Sequence, residues 1–128
     1  MIFDTDVLIW FFRGNHRAGA LIAAERNREM SIISLMELFQ GARSRDEIKV
    51  IRRFVQDNGI RVIPISEPIS HLAATLIEEH AMSDGLQVAD ALIAATARQT
   101  GLRLTTGNVR HFRAIRGLDL KAFRPSER

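Results

Sequence analysis

A chain of 128 residues, 46% of them hydrophobic, suits one compact domain spanning residues 1–128, so neither disorder nor a repeat array is needed to explain it. It has no cysteine, which excludes disulfides, thiolate metal sites and a cysteine nucleophile and fits a reducing, cytoplasmic compartment. The net charge is +3 but the sequence pI is about 10.5, because only Lys49 and Lys121 are lysines. Arginine's planar fork suits phosphates and bases, although solvated arginines on helix faces give the same composition.

Ile2 to Asp4 has the form of a buried strand ending in an acid, followed by a short helix over Val7 to Phe12. A second helix is expected from His16 to about Asn27, and a brief strand over Met30 to Ile33. Ser34-Leu35-Met36-Glu37 has the pattern of a capping box opening a helix that runs to about Gly41. Asp46 to Asp57 is amphipathic and closed by Asn58-Gly59. Ile60 to Ile65 predicts a third strand. Ser66-Glu67-Pro68 opens a helix through about Met82, and Ser83-Asp84-Gly85 is expected to be a loop. Gln87 to Thr100 is an alanine-rich helix, Leu102 to Thr105 a fourth strand, Val109 to Ile115 a short helical turn, and Leu118 to Phe123 a last edge strand. No run is apolar for long enough to span a bilayer, and Met1 leads straight into a strand rather than a signal peptide. Strands alternating with helices predict a mostly parallel sheet inside a three-layer α/β/α sandwich.

In such sheets, ligands bind beyond the carboxyl ends of the strands. Asp4 sits at that edge, where an idle charge is costly, although Asp also caps helices. Asp6 either orients a neighbouring acid or occupies a helix first turn favoured by the macrodipole. Glu37 is accounted for by the capping box, yet its place one turn into a helix lets it point back over the sheet. Asp90 heads a face shared with Ala94 and Ala97, so its carboxylate lies on a packed side and needs a partner. Asn108, with Thr105 and Thr106, offers either turn chemistry or neutral oxygens for a hydrated ion. Carboxylate and amide oxygens without cysteine or paired histidines select Mg²⁺ or Mn²⁺ over zinc. Crowded acids also repel, so without metal at least one is expected to have raised pKa. His16, His71, His80 and His111 show no metal-ligand spacing; His71 and His80 are expected on helix surfaces. Arg13, His16 and Arg17, and again Arg110, His111, Arg113 and Arg116, lie in segments expected near the acids, where they either hold RNA phosphates or form a solvated basic rim.

Ile2-Phe3-Asp4-Thr5-Asp6-Val7-Leu8-Ile9, Ser34-x-x-Glu37-Leu38 with Gly41-Ala42, Asp90-Ala91-Leu92-Ile93-Ala94-Ala95-Thr96-Ala97 and Thr105-x-x-Asn108-x-x-x-Phe112 together resemble the PIN domain, and more narrowly the VapC toxins of type II toxin–antitoxin modules. The resemblance covers the whole chain, in order and in spacing. It implies an Mg²⁺- or Mn²⁺-dependent endoribonuclease, a homodimer, held inactive by a VapB-type antitoxin. By position Asp4, Glu37 and Asp90 match the family's three metal-holding acids and Thr105 a hydroxyl near the metal. Asn108 falls where many members carry a fourth acid, and Asp6 replaces a commoner Asn or Ser.

Two alternatives stand beside this. Phe3-Asp4-Thr5-Asp6-Val7 also fits the opening of haloacid-dehalogenase-like phosphatases, with Asp4 as nucleophile, but that chemistry needs a lysine and a late acidic pair that the chain does not offer. The other is a catalytically silent PIN-like scaffold that binds protein or RNA.

Overall fold

Ile2 and Phe3 are neighbours and both fully buried, so their side chains leave opposite faces of strand β1 (Ile2–Phe3) into two separate cores. In the computed structural model, which describes residues 1–126, Ile2 packs with Ile63, Leu76, Ile93, Leu104 and Phe112. Phe3 packs with Val7, Leu8, Met30, Leu38 and Phe54. A strand apolar on both faces needs cover on both, and the result is an α/β/α sandwich, as the sequence predicts.

After β1 come α1 (Thr5–Phe12), α2 (His16–Ala24), β2 (Glu29–Ser31), α3 (Ile32–Gly41), α4 (Arg45–Asp57), β3 (Arg61–Ile63), α5 (Glu67–Asp84), α6 (Val88–Thr100), β4 (Leu104–Thr106), α7 (Val109–Phe112) and β5 (Leu120–Ala122). The five strands are parallel throughout, in the order β3-β2-β1-β4-β5. Residues of α1 to α4 line the core that holds Phe3, and residues of α5 to α7 the core that holds Ile2. The chain steps from β1 through β2 to β3 on one side, then returns to β4 on the other. β1 and β4 therefore flank the topological switch point, where an open parallel sheet leaves a crevice at its carboxyl edge.

Several local expectations shift, each for a visible reason. Ser34 does not open α3. The helix starts at Ile32, and Ser31 Oγ accepts from the Ile33 amide at 3.1 Å. Ser31 is still paired with Ile63, so the chain turns directly from strand to helix and the apparent capping box at Ser34 and Glu37 lies inside it. α5 runs through Ser83 and Asp84, where a loop was expected, and stops at Gly85 in the left-handed region (φ 69°). His80 there is half-buried rather than on the open surface, bonding Asp84 one turn on at 2.9 Å. β4 takes in Thr106, because Thr106 pairs with Ala122 of β5. α2 ends at Ala24, α7 at Phe112 and β3 at Ile63, each shorter than periodicity alone predicts.

Candidate active site

Asp4 follows β1 and caps α1. Its Oδ1 accepts from the Thr5 amide at 2.8 Å, and its Oδ2 accepts from Thr106 Oγ1 at 2.7 Å. The side chain is buried. Loss of water, together with the charges of Asp6 and Asp90 and against the two hydrogen bonds, pushes its pKa up to about 7. Asp6, the second residue of α1, accepts from the Gly107 amide at 2.8 Å through Oδ2. Its Oδ1 is buried without a hydrogen-bond partner. Burial raises the pKa of Asp6 too; the Gly107 amide and nearby backbone hydrogen bonds oppose the shift, and the charge of Asp90 adds to it.

Glu37 reaches this cluster through Thr5. Thr5 Oγ1 lies 2.7 Å from Glu37 Oε1 and 2.9 Å from Ser34 Oγ. The carboxylate can only accept, so the Thr5 proton goes to Glu37 and the Ser34 hydroxyl turns its own proton to Thr5. Ser34 is fully buried and faces α1, a fixed prop for the residue next to Asp4.

Asp90 stands at the third position of α6 and closes a capping box with Gln87, whose amide donates to Asp90 Oδ2 at 3.4 Å. It is partly exposed rather than enclosed, while Ala94 and Ala97 behind it are buried. The partner that sequence proximity could not supply comes from α7: His111 Nδ1 lies 3.5 Å from Asp90 Oδ2. His111 also faces the Asn108 amide group at 3.2 Å, and the Asn108 backbone amide donates to Thr106 Oγ1 at 2.9 Å. A continuous polar chain thus runs Glu37, Thr5, Asp4, Thr106, Asn108, His111, Asp90. Thr105, singled out from sequence, is not the hydroxyl on Asp4. Its Oγ1 is buried without a hydrogen-bond partner, while its carbonyl accepts from the Asp4 amide at 2.9 Å.

The family model described as the PIN domain matches residues 1–118. The chain belongs to the PIN domain family. A curated relative, the ribonuclease VapC10 of Mycobacterium tuberculosis, is 34% identical over 116 residues, covering 88% of this chain and 85% of its own. A toxin–antitoxin complex from Klebsiella pneumoniae contains a chain 30% identical to this one, with 98% of each chain covered and a TM-score of 0.77. VapBC2 of Rickettsia felis, solved with a promoter DNA fragment, shares the fold at a TM-score of 0.79 and 21% identity, covering 97% of this chain and all of the other.

In this PIN domain the acids form a repelling cluster more than a finished cage. Among the described residues, no three His, Cys, Asp or Glu side chains stand close enough together to enclose a metal ion. The donor set nevertheless fits a hard divalent cation. Asp6 and Asp90 raise the proton affinity of Asp4, and Asp90 that of Asp6, each on top of burial, and Asp6 Oδ1 is an orphaned buried oxygen. A cation would offset both penalties.

Two clefts flank the PIN cluster. One, of about 570 Å³, is lined by Ile9, Phe12, Arg13, Glu37 and Glu47 among others and is largely apolar. Arg13 there lies 5.5 Å from the Trp10 ring. The other, of about 520 Å³, runs along Gly107, Asn108, Arg110, Arg113, Phe123 and Arg124. Arg110 therefore borders the acids, His111 belongs to the acid network itself, and Arg17 on α2 lines neither cleft. Thr5, Ser34 and Gly107 were not singled out as parts of the site from sequence, and Thr106 was singled out as an oxygen for a hydrated ion rather than as the donor to Asp4. Thr106-Gly107 directly after a strand was the available signal, since a hydroxyl and an unhindered amide can both turn toward the crevice.

Proposed function

We propose that this PIN domain is a divalent-metal-dependent endoribonuclease, the toxin of a toxin–antitoxin pair, held inactive by a VapB-type antitoxin and acting in the cytoplasm as a homodimer. The observation that carries it is the pair of buried acids at the switch point, Asp4 and Asp6, both within reach of the charge of Asp90, with Glu37 tied in through Thr5. The ribonuclease among its relatives and the toxin–antitoxin complexes among its structural neighbours support the assignment. Among the described residues no helix is long and apolar enough to cross a membrane.

The ion would be Mg²⁺ or Mn²⁺, held by Asp4, Glu37 and Asp90 with oxygens of Asn108 and Asp6 in support. Once bound, such an ion activates water and neutralises charge that develops on a phosphodiester. The protein's own task is to hold the oxygens still. Thr5 and Thr106 fix the two oxygens of Asp4 separately, Gly107 orients Asp6, and the Gln87 backbone amide holds Asp90.

The test is cleavage of single-stranded RNA with Mg²⁺, with Mn²⁺ and with chelator. Cleavage is expected with either ion and is expected to vanish in chelator and in Asp90→Asn. Equal cleavage in chelator, or by a folded Asp90→Asn protein, would sink the assignment. A silent scaffold would bind Mn²⁺ with no heat that depends on Asp4, so calorimetry on Asp4→Ala separates it. The phosphatase alternative has no lysine at the site: among the described residues neither Lys49 on α4 nor Lys121 on β5 bonds Asp4 or Asp6.

A further inference from the structure

We propose that the cleft between the β4–α7 turn and the segment after β5 is a phosphate-binding track for single-stranded RNA, with Arg110, Arg113 and Arg124 as its contacts. The proposal deepens the ribonuclease assignment and rests on it.

The cleft is lined by Gly107, Asn108, Val109, Arg110, Arg113, Ala122, Phe123 and Arg124. Three of these eight are arginines and none is acidic, whereas the cleft on the other side of the acids holds Glu37 and Glu47 beside its arginines. Among the described residues, Arg110 and Arg124 form no ion pair or side-chain hydrogen bond that would occupy their guanidinium groups. Arg113 is coupled through space to Asp84, so it is the most nearly compensated of the three. Guanidinium groups that line one cleft without an ion-pair partner, as Arg110 and Arg124 do, match a polyanion.

The floor of the cleft joins it to the acids. Gly107 donates its amide to Asp6, and the Asn108 amide donates to the Thr106 hydroxyl that binds Asp4. An RNA backbone lying on the three arginines therefore leads directly to the acidic cluster. It would carry its phosphates over positive charge before one of them meets the carboxylates, which offsets the repulsion between the acids and an incoming polyanion. A cleft of about 520 Å³ is small beside the body of a duplex, so the occupant proposed is a flexible single strand.

The experiment measures binding of a fluorescent single-stranded RNA across a salt series in chelator, and cleavage KM and kcat in Mg²⁺. The proteins compared are wild type, Arg110→Gln/Arg124→Gln, Arg110→Lys/Arg124→Lys, and a control, Arg26→Gln/Arg53→Gln, whose arginines are equally exposed elsewhere. The glutamine pair is expected to reduce the slope of log affinity against log salt by about 0.7 per arginine removed, to weaken binding at least tenfold, and to raise KM more than it lowers kcat. The lysine pair is expected to keep the slope and the control to match wild type. Wild-type cleavage with an unchanged slope in the glutamine pair overturns the track and leaves the ribonuclease assignment standing. Equal losses in the control, or equal arginine dependence for duplex RNA, also overturn it. No wild-type binding or cleavage removes both. Melting temperatures of the four proteins separate these outcomes from misfolding.

Discussion

The Thr106 hydroxyl donates to Asp4 Oδ2 across 2.7 Å, joining the ends of β4 and β1 from residues 102 positions apart. It is one of the two bonds that hold the Asp4 pKa down against burial. Thr106→Val keeps the branched shape but deletes the donor, and also leaves the Asn108 amide without its acceptor. The Asp4 pKa is expected to rise further, stability to fall by about 1 kcal/mol, and RNA cleavage to fall about 10- to 100-fold. A carboxyl-carbon NMR titration of Asp4 gives the direct check, and an unmoved titration would count against the role given to Thr106.

The acids make the metal-free protein sensitive to pH. The folded-state pKa of Asp4, about 7, lies above the ordinary carboxylate value, so over that interval the folded chain holds a proton that the unfolded chain has released. Stability therefore falls as pH rises through the interval, and Asp6, also raised, adds in the same direction. Asp84, lowered by its bonds to His80 and Ser83, works the opposite way but below the ordinary carboxylate range. Between pH 5 and pH 8 in chelator, Tm is expected to drop by about 5 °C or more, and Asp4→Asn should flatten most of that slope. Excess Mg²⁺ or Mn²⁺ should restore stability at the high-pH end. A Tm in chelator that climbs over this range would contradict the cluster's electrostatics.

Gly107 is constrained by space and not by backbone angle. A Cβ there would come 2.6 Å from Asp6 Oδ2 and 3.5 Å from the Phe123 carbonyl. Gly107→Ala must push the Asp6 carboxylate off the Gly107 amide. Because that carboxylate sits on a rotatable side chain, the fold should survive with a loss of about 1 kcal/mol, while cleavage falls at least about tenfold. A melting curve and a cleavage assay on the same preparation decide it; if stability collapses while residual activity keeps pace with the folded fraction, the effect is structural.

Much of this was legible from residue patterns, and the gaps have physical causes. Apolar Ile2-Phe3 ending in Asp4 announces a buried strand and a charge at its carboxyl edge, and alanines behind Asp90 announce a helix packed closely on the sheet. Long-range contacts leave no such trace: the Asp4–Thr106 and Thr5–Ser34 hydrogen bonds and the Asp90–His111 approach depend on which elements lie side by side. Ser34-x-x-Glu37 misled because a serine three residues before a glutamate fits a helix start as well as a helix interior facing a neighbour. Burial alone misleads as well, since Glu29 is as enclosed as Asp4 yet is neutralised by Arg61 at 2.7 Å and by the Met1 amino group at 3.0 Å. Buried acids with basic partners hold structure; Asp4 and Asp6 have only amides, a hydroxyl and other acids around them.

That distinction bears directly on Glu37. As a helix cap it would matter to stability and not to chemistry, but α3 begins five residues earlier and is capped by Ser31. Its carboxylate is tied instead to Thr5 at 2.7 Å. Glu37→Gln retains an oxygen that accepts the Thr5 proton, and the side chain is largely exposed, so stability should change by less than about 0.5 kcal/mol. Removing a full negative charge from the donor set is expected to lower Mg²⁺-supported RNA cleavage by about 100-fold or more. Thr5→Val supplies the complementary measurement, because it leaves the Glu37 charge in place while cutting its tether and the Ser34 contact, and it should lower stability more and cleavage less than Glu37→Gln. Should the two variants rank the other way in both measurements, Glu37 would be a structural residue and the acids of the site would be Asp4, Asp6 and Asp90 alone.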